Sequence, residues 1–353
     1  MLKGGPVWAL GAMAGTALDG VHGAMVLTDG TTVFDFGPVA FRAYTTAERA
    51  ILRAAQGRWP GDPGVAAAAE TVETAHAQLL SQFEGAALVG FHGQTLAHDP
   101  GGRGTHQCGN GALLAEVLGL PVVWDFRSAD MRLGGQGTPM DPFYLFALAR
   151  RLWRDPGGVL DLGDTGALTW INPAAARPDA PGALVAFDTG PGAPGTLSPG
   201  TLSSVSGRPD PDILARFLRQ SYFHRLPPKR LDRAVMASLH RDLAELPAPE
   251  ATATLTAATA AAVAAGLALL PARPRCILVS GAGRRNPALM GALRARLPCA
   301  VAPVESVGLD GDRMPAQAIA HLAVRVARGL PTSCPATTGV AAAVGGGEIS
   351  VPA

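Results

Sequence analysis

The chain has 353 residues, with 29 Lys and Arg against 28 Asp and Glu and a net charge of +1. That balance removes the electrostatic case for nucleic acid or a membrane surface as a partner. Charged residues make up only 16% and hydrophobic ones 48%, with 44 Gly and 30 Pro, which excludes a disordered chain and suits about two folded domains rich in tight turns.

Residues 1–10 hold one lysine, a Gly-Gly-Pro turn and too few apolar residues for a signal peptide, so a cytoplasmic protein is expected. Apolar runs predict strands at 6–10, 23–27 and 32–36, with Asp29-Gly30 turning a hairpin. The first two strands flank Gly11-Ala-Met-Ala-Gly-Thr-Ala-Leu-Asp-Gly20. In such a turn, glycines let backbone N–H groups approach phosphate oxygens. Thr16 adds a hydroxyl, and Asp19 is placed to orient a phosphate-bound Mg²⁺ through water. It is no Walker loop, because Gly-Lys-Ser/Thr is absent from the chain. An ordinary hairpin turn fits the same glycines.

Helical spacing follows at 46–57 and 64–84, then a strand at 87–91 that leads into His92-Gly-Gln-Thr95. A helix at 111–118 and a short strand at 121–124 come next. Directly after that strand stand Asp125, Arg127, Asp130 and Arg132, followed by Gly134-Gly-Gln-Gly137. In open α/β sheets, ligands sit beyond the carboxyl ends of the strands, so chemistry is expected here.

The second half repeats the plan. A helix is predicted at 141–152, strands at 158–161, 168–171 and 184–187, then helices at 211–219 and 251–270. Residues 251–272 carry no charge, yet they are mostly Ala and Thr, so a buried globular helix is expected rather than a membrane span. A strand at 276–279 meets Gly281-Ala-Gly-Arg-Arg-Asn-Pro287, where glycines and a helix N-terminus favour a nucleotide. Helices at 286–296 and 314–328 precede a Pro-rich tail expected to lie on the surface. The fold class is therefore α/β, with residues 1–130 and 131–353 as the expected domains. Each half opens with a hairpin, 6–36 and 157–187, which hints at duplication.

Asp188-Thr-Gly190 stands 24 residues after Asp164-Thr-Gly166. Two such triplets invite an aspartic-protease reading, but that needs a whole β domain per carboxylate, and the α/β pattern opposes it. Asp188, at a strand end beside glycine-rich backbone, reads as a general base, a metal orienter or an Asx-turn. The four cysteines, Cys108, Cys276, Cys299 and Cys334, have no paired spacing, so free thiols are expected.

In order along the chain, several segments resemble the anhydro-N-acetylmuramic acid kinase family of the sugar kinase/Hsp70/actin superfamily. They are Gly15-Thr-Ala-Leu-Asp-Gly20, Phe91-His-Gly-Gln-Thr95, Gly109-Asn-Gly-Ala-Leu-Leu-Ala115, Asp125-Phe-Arg127 and Gly134-Gly-Gln-Gly137. Phe187-Asp-Thr-Gly-Pro-Gly192, Pro227-Pro-Lys229, 281–287 and 308–323 continue the match. The resemblance implies two RNase-H-like ATPase domains around a cleft. It also implies a reaction turning ATP, water and 1,6-anhydro-N-acetylmuramate into ADP and N-acetylmuramate 6-phosphate in cell-wall recycling. Asp188 would be the base that activates water. Gly15, Thr16, Ala17, Leu18, Asp19, Gly20, Val21 and His22 would hold the ATP phosphates, Gly281 and Gly283 the adenosine, and Arg127 the sugar. Mg²⁺ would sit near Asp19, and a second copy of the chain is the one macromolecular partner considered.

The chain departs from the family pattern at Ala14, Ala17 and His22, where two serines and an aspartate are usual. It also departs at Gly163–Ala167, Asn110, Ala282 and Pro315, and in the Gly/Pro/Ser stretch after Gly192. A degenerate homologue that binds sugar or nucleotide without turnover is the alternative.

Overall fold

Strand formation follows the apolar runs. The computed structural model describes residues 4–193 and 207–353. Its strands are β1 Val7–Ala14, β2 Gly20–Thr28, β3 Val33–Ala43, β4 Leu88–Asp99, β5 Gly104–Cys108 and β6 Val122–Trp124. The later ones are β7 Gly157–Leu162, β8 Thr165–Ile171, β9 Leu184–Pro191, β10 Cys276–Ser280, β11 Ala300–Pro303 and β12 Glu348–Ser350.

Two compact units result. One holds Met1–Arg151 with Arg313–Ala353, the other Leu152–Asp312. The first break thus falls later than residue 130, and the C-terminal segment returns to the first unit. The reason is the helix Met314–Ala327, which packs on β1, β2 and β4.

The first unit's sheet runs β12-β6-β4-β1-β2-β3, with β5 paired to the far half of β4. The second runs β11-β10-β7-β8-β9. In each, three antiparallel strands form a meander whose first member pairs in parallel with the next strand along the order. The repeated order is the duplication expected from the hairpins, and it makes both units mixed α/β and RNase-H-like.

One face of the first sheet buries Leu10, Val21, Met25, Val89 and Phe91 with Val72 and Leu79 of the helix Val65–Leu80. The opposite face takes the helix Met314–Ala327 at close range because Gly11 and Gly90, partners across β1 and β4, lack side chains. A Cβ on Gly11 would lie 1.9 Å from the Ala316 carbonyl oxygen, and one on Gly90 would lie 2.6 Å from that of Ile319. In the second unit, Leu160, Leu168, Phe187 and Val279 pack with Val263, Leu289 and Leu293.

The helix expected over 251–270 forms as Ala248–Leu267, with Glu250 in its first turn, and is largely buried. Its threonines return hydroxyls to carbonyls one turn back, Thr252 to Ala248 and Thr256 to Thr252. Among the described residues, no helix is long and apolar enough to cross a membrane. The tail differs from its expected surface position. Cys334, Thr337, Thr338 and Val340 are buried, and β12 extends the first sheet. All four cysteines are free thiols.

Candidate active site

The sequence-predicted site residues fall into four groups, two in each unit. The turn after β1 is shorter than the Gly11–Gly20 loop expected, since β1 continues to Ala14 and β2 starts at Gly20. Gly11 serves the helix contact instead. Gly15 to Asp19 form the turn, closed by the Leu18 N–H to the Gly15 carbonyl at 3.2 Å. Leu18 takes a left-handed conformation (φ 55°) and drops its side chain into the core. Val21 is fully buried, and a Cβ on Gly20 would strike the Arg42 carbonyl oxygen at 2.2 Å. Thr16, Ala17 and Asp19 remain exposed. Hence Leu18, Gly20 and Val21 shape the turn, while Gly15, Thr16, Ala17 and Asp19 present it.

The turn is held from beneath. Gln94 Nε2 donates to the Gly15 carbonyl (3.1 Å), and the Tyr44 N–H donates to that of Asp19 (3.0 Å). Asp19 Oδ1 accepts the Gly20 N–H, and its Oδ2 lies 3.6 Å from His22 Nε2. Hydrogen bonding toward His22, helped by backbone N–H groups, holds the Asp19 carboxyl below its ordinary value. His22 Nδ1 lies 3.0 Å from Arg313 Nη1, so the departure at His22 is built into an Asp-His-Arg chain. Ala14, by contrast, is buried in the core.

The second group surrounds Arg127. Its Nε donates to His92 Nε2 (3.1 Å) and its Nη1 to the Gly137 carbonyl (2.7 Å). His92 Nδ1 lies 2.9 Å from the Gly93 carbonyl, which makes Nδ1 the protonated nitrogen and leaves Nε2 to accept from the guanidinium. Burial, reinforced by the Arg127 charge, pushes His92 down to about 3, so the ring stays neutral. His92, His106, Gln107, Trp124, Asp125 and Ser128 line a pocket of about 180 Å³. Asp125 sits at φ 50° and accepts from the Ser128 hydroxyl at 2.6 Å.

Sequence reasoning gave Asp130 no role of its own, yet it organises this group. It is 3% exposed, and its carboxylate accepts the Gly137 N–H (2.7 Å), the Ser333 hydroxyl (2.6 Å) and the Thr338 hydroxyl (2.6 Å). Only the Asp-x-Arg-x-x-Asp-x-Arg charge cluster of residues 125–132 signalled it.

In the second unit, Asp188 lies within β9 rather than at its end, and is 2% exposed. Its Oδ1 accepts from Arg230 Nη1 at 2.7 Å and its Oδ2 from the Leu231 N–H at 2.9 Å. Its own N–H donates to the Lys229 carbonyl, and the Tyr222 hydroxyl donates to its carbonyl. Burial raises the Asp188 carboxyl above its usual value, against the opposing charge of Arg230. Lys229, buried and donating to the Tyr222 carbonyl, is pushed down to about 8 by burial.

The fourth group is the Gly281 turn. Gly281 adopts φ 71°, and a Cβ there would meet Asp161 Oδ1 at 2.6 Å. Gly283 packs on Leu162. Arg284 locks the turn through the Gly281 carbonyl, Glu305 and Asp312. The helix end behind it differs from expectation as an anion site: Asn286 already accepts the N–H groups of Ala288 and Leu289. Asp161, missed in the sequence, has its carboxyl raised by burial and accepts from the Ser280 hydroxyl.

A family model for anhydro-N-acetylmuramic acid kinase matches residues 7–194 and 200–351. The chain belongs to the anhydro-N-acetylmuramic acid kinase family. The anhydro-N-acetylmuramic acid kinase of Cereibacter sphaeroides is 58% identical over 364 residues, covering 100% of this chain and 98% of that protein. Anhydro-N-acetylmuramic acid kinase 1 of Jannaschia sp. is 51% identical over 359 residues, covering 98% and 96%. That of Rhodospirillum rubrum is 44% identical over 367 residues, covering 97% and 94%. A solved inorganic polyphosphate/ATP-glucomannokinase from Arthrobacter sp. covers 92% of this chain at 16% identity and a TM-score of 0.41, too remote to bear on the site.

Against the kinase family pattern, Asn110 caps the helix Gly111–Leu118 through the N–H groups of Ala112 and Leu113. Pro315 occupies the first turn of its helix, where proline is tolerated. The Gly163-Asp164 turn accepts the N–H groups of Ala193 and Gly192. The stretch that follows, 194–206, lies outside the described residues.

Proposed function

We propose that this protein is an anhydro-N-acetylmuramic acid kinase acting in the cytoplasm, with Asp188 as the base. The observation that carries the reading is end-to-end likeness to kinases of this name, at up to 58% identity among the relatives cited, together with a buried carboxylate held by an arginine. Asp188 accepts a proton from water as the water oxygen bonds to C1 of 1,6-anhydro-N-acetylmuramate. The C1–O6 bond breaks, O6 bonds to the γ-phosphorus, and the bond from that phosphorus to the β-bridging oxygen breaks to release ADP.

The side of the turn presented by Gly15, Thr16 and Ala17 takes the phosphates. Asp19 is a half-exposed carboxylate held in its charged form. Such a carboxylate would hold a hydrated Mg²⁺, which would supply positive charge to offset that of the phosphates. Gly281 gives the adenosine close backbone approach. Arg127, fixed by neutral His92, suits the carboxylate of a sugar acid, and the hydrogen-bonding side chains of the adjoining pocket, Gln107, Asp125 and Ser128 among them, suit its hydroxyls.

The test is incubation with ATP, Mg²⁺ and the anhydro sugar, followed by mass analysis. A product heavier by water plus a phosphoryl group is expected. Unchanged sugar with saturable binding would refute turnover and leave a binding protein.

A further inference from the structure

Among the described residues, β9 is the edge strand of its sheet, with no strand partner on one side. At Asp188 that side is filled by three consecutive residues: the Lys229 carbonyl, the Arg230 guanidinium and the Leu231 N–H. The two last take one lone pair from each carboxylate oxygen. A carboxylate offers about four acceptor sites, so two remain for a water molecule. We propose that Arg230 is a positioning residue for Asp188, fixing the rotation of its carboxylate so that the open lone pairs meet the attacking water. This rests on the reading of Asp188 as the base.

Charge points the same way as geometry. Burial alone would favour the protonated acid, which cannot accept a proton, and the nearest opposing charge is Arg230. The other titratable groups facing this end of β9 are Tyr222, Lys229, Arg225 and Asp232. Tyr222 bonds the backbone of Asp188, Lys229 is turned to the Tyr222 carbonyl, and Arg225 is paired to Asp232. On the remaining sides, β8 places Ala167 opposite Asp188, and the helix Ala248–Leu267 presents Ala262 to the neighbouring Gly190. Arg230 is itself 32% exposed, so its side chain can be changed without opening the core.

The experiment compares kcat/KM for the sugar at saturating ATP across pH for the parent, Arg230→Gln and Arg230→Lys. Arg230→Gln should move the acid limb upward by about 1–2 pH units, with activity recovering toward the parent on the alkaline side. Arg230→Lys, which keeps the cation, should move it less. A rate lowered equally at every pH, with the limb unmoved, would overturn the proposal. Asp188→Asn separates the two ideas. Activity retained in Asp188→Asn removes the base itself, whereas an inactive Asp188→Asn beside an unmoved Arg230→Gln limb removes only the role of Arg230. If Arg230→Gln yields no folded protein, the double variant with Asp188→Asn decides, because it buries no unpaired charge. It should fold, and failure to fold would sink the pairing.

Discussion

Asp130→Ala should loosen the first unit more than any surface change of equal size. Asp130 joins three segments: its own short helix Ser128–Arg132, the glycine loop through Gly137, and the returning tail through Ser333 and Thr338. Hydrogen bonds to a charged group contribute about 1.5–3 kcal/mol each, and a stranded buried donor costs about 1–3 kcal/mol. The Gly137 N–H cannot turn elsewhere, whereas the two hydroxyls can rotate to other acceptors. The expected loss is therefore about 3–5 kcal/mol rather than the full threefold sum. Asp130→Asn keeps a carbonyl acceptor and should lose about half as much. Urea unfolding with linear extrapolation measures the loss, and amide hydrogen exchange locates it. Exchange should quicken across residues 331–345, and the KM for sugar should rise because the Gly137 carbonyl also fixes Arg127. A loss below about 1 kcal/mol, with tail exchange unchanged, would show that the three donors do not depend on this carboxylate.

Ala17→Ser adds a hydroxyl on the exposed part of the phosphate turn; worth about 0.5–1.5 kcal/mol, it should raise kcat/KM for ATP about two- to tenfold in steady-state kinetics. No gain would mean that the backbone already completes the turn. Gly11→Ala sets a methyl 1.9 Å from a helix carbonyl oxygen and should cost about 3 kcal/mol in urea unfolding; a loss within error would refute the close helix contact. His76, His92 and His321 are held neutral by burial at about 4, about 3 and about 3. The unfolded chain binds these protons first, so stability is full above the ordinary histidine value and falls with pH toward those lower values. Each histidine contributes a slope approaching 1.4 kcal/mol per pH unit, and a melting temperature flat between about pH 6 and pH 5 would contradict it.

The long elements were legible because their apolar spacing is strong, and the predicted helices 111–118 and 286–296 agree with Gly111–Leu118 and Pro287–Arg296. Strands β11 and β12, with four and three residues, exist by pairing to β10 and β6 and carry little signal of their own. β4 runs to Asp99 because β5 pairs along its polar far half, whereas the sequence ends the apolar run at Phe91. The helix Arg233–Ala244 was missed in the sequence although Val235, Leu239 and Leu243 recur every four residues, because it opens with no side-chain cap: Asp232 pairs with Arg225 instead. The site was legible as a set of motifs and not as a set of contacts. Asp188 meets Arg230 across 42 positions and Asp130 meets Ser333 across 203, separations that no local pattern encodes.

Because Arg313–Ala353 belongs to the first unit, the second unit is a contiguous insertion within a discontinuous one. On a ribosome, Leu152–Asp312 has its whole complement of strands before the helix Met314–Ala327 has left the exit tunnel. Until then the seat of that helix at Gly11 and Gly90 stays bare, and β6 waits for β12. The half of the protein translated first is thus the last to be completed. During that interval it presents an uncovered apolar sheet face, a natural point of engagement for chaperones and of failure for any nascent chain that stalls short of its final turn.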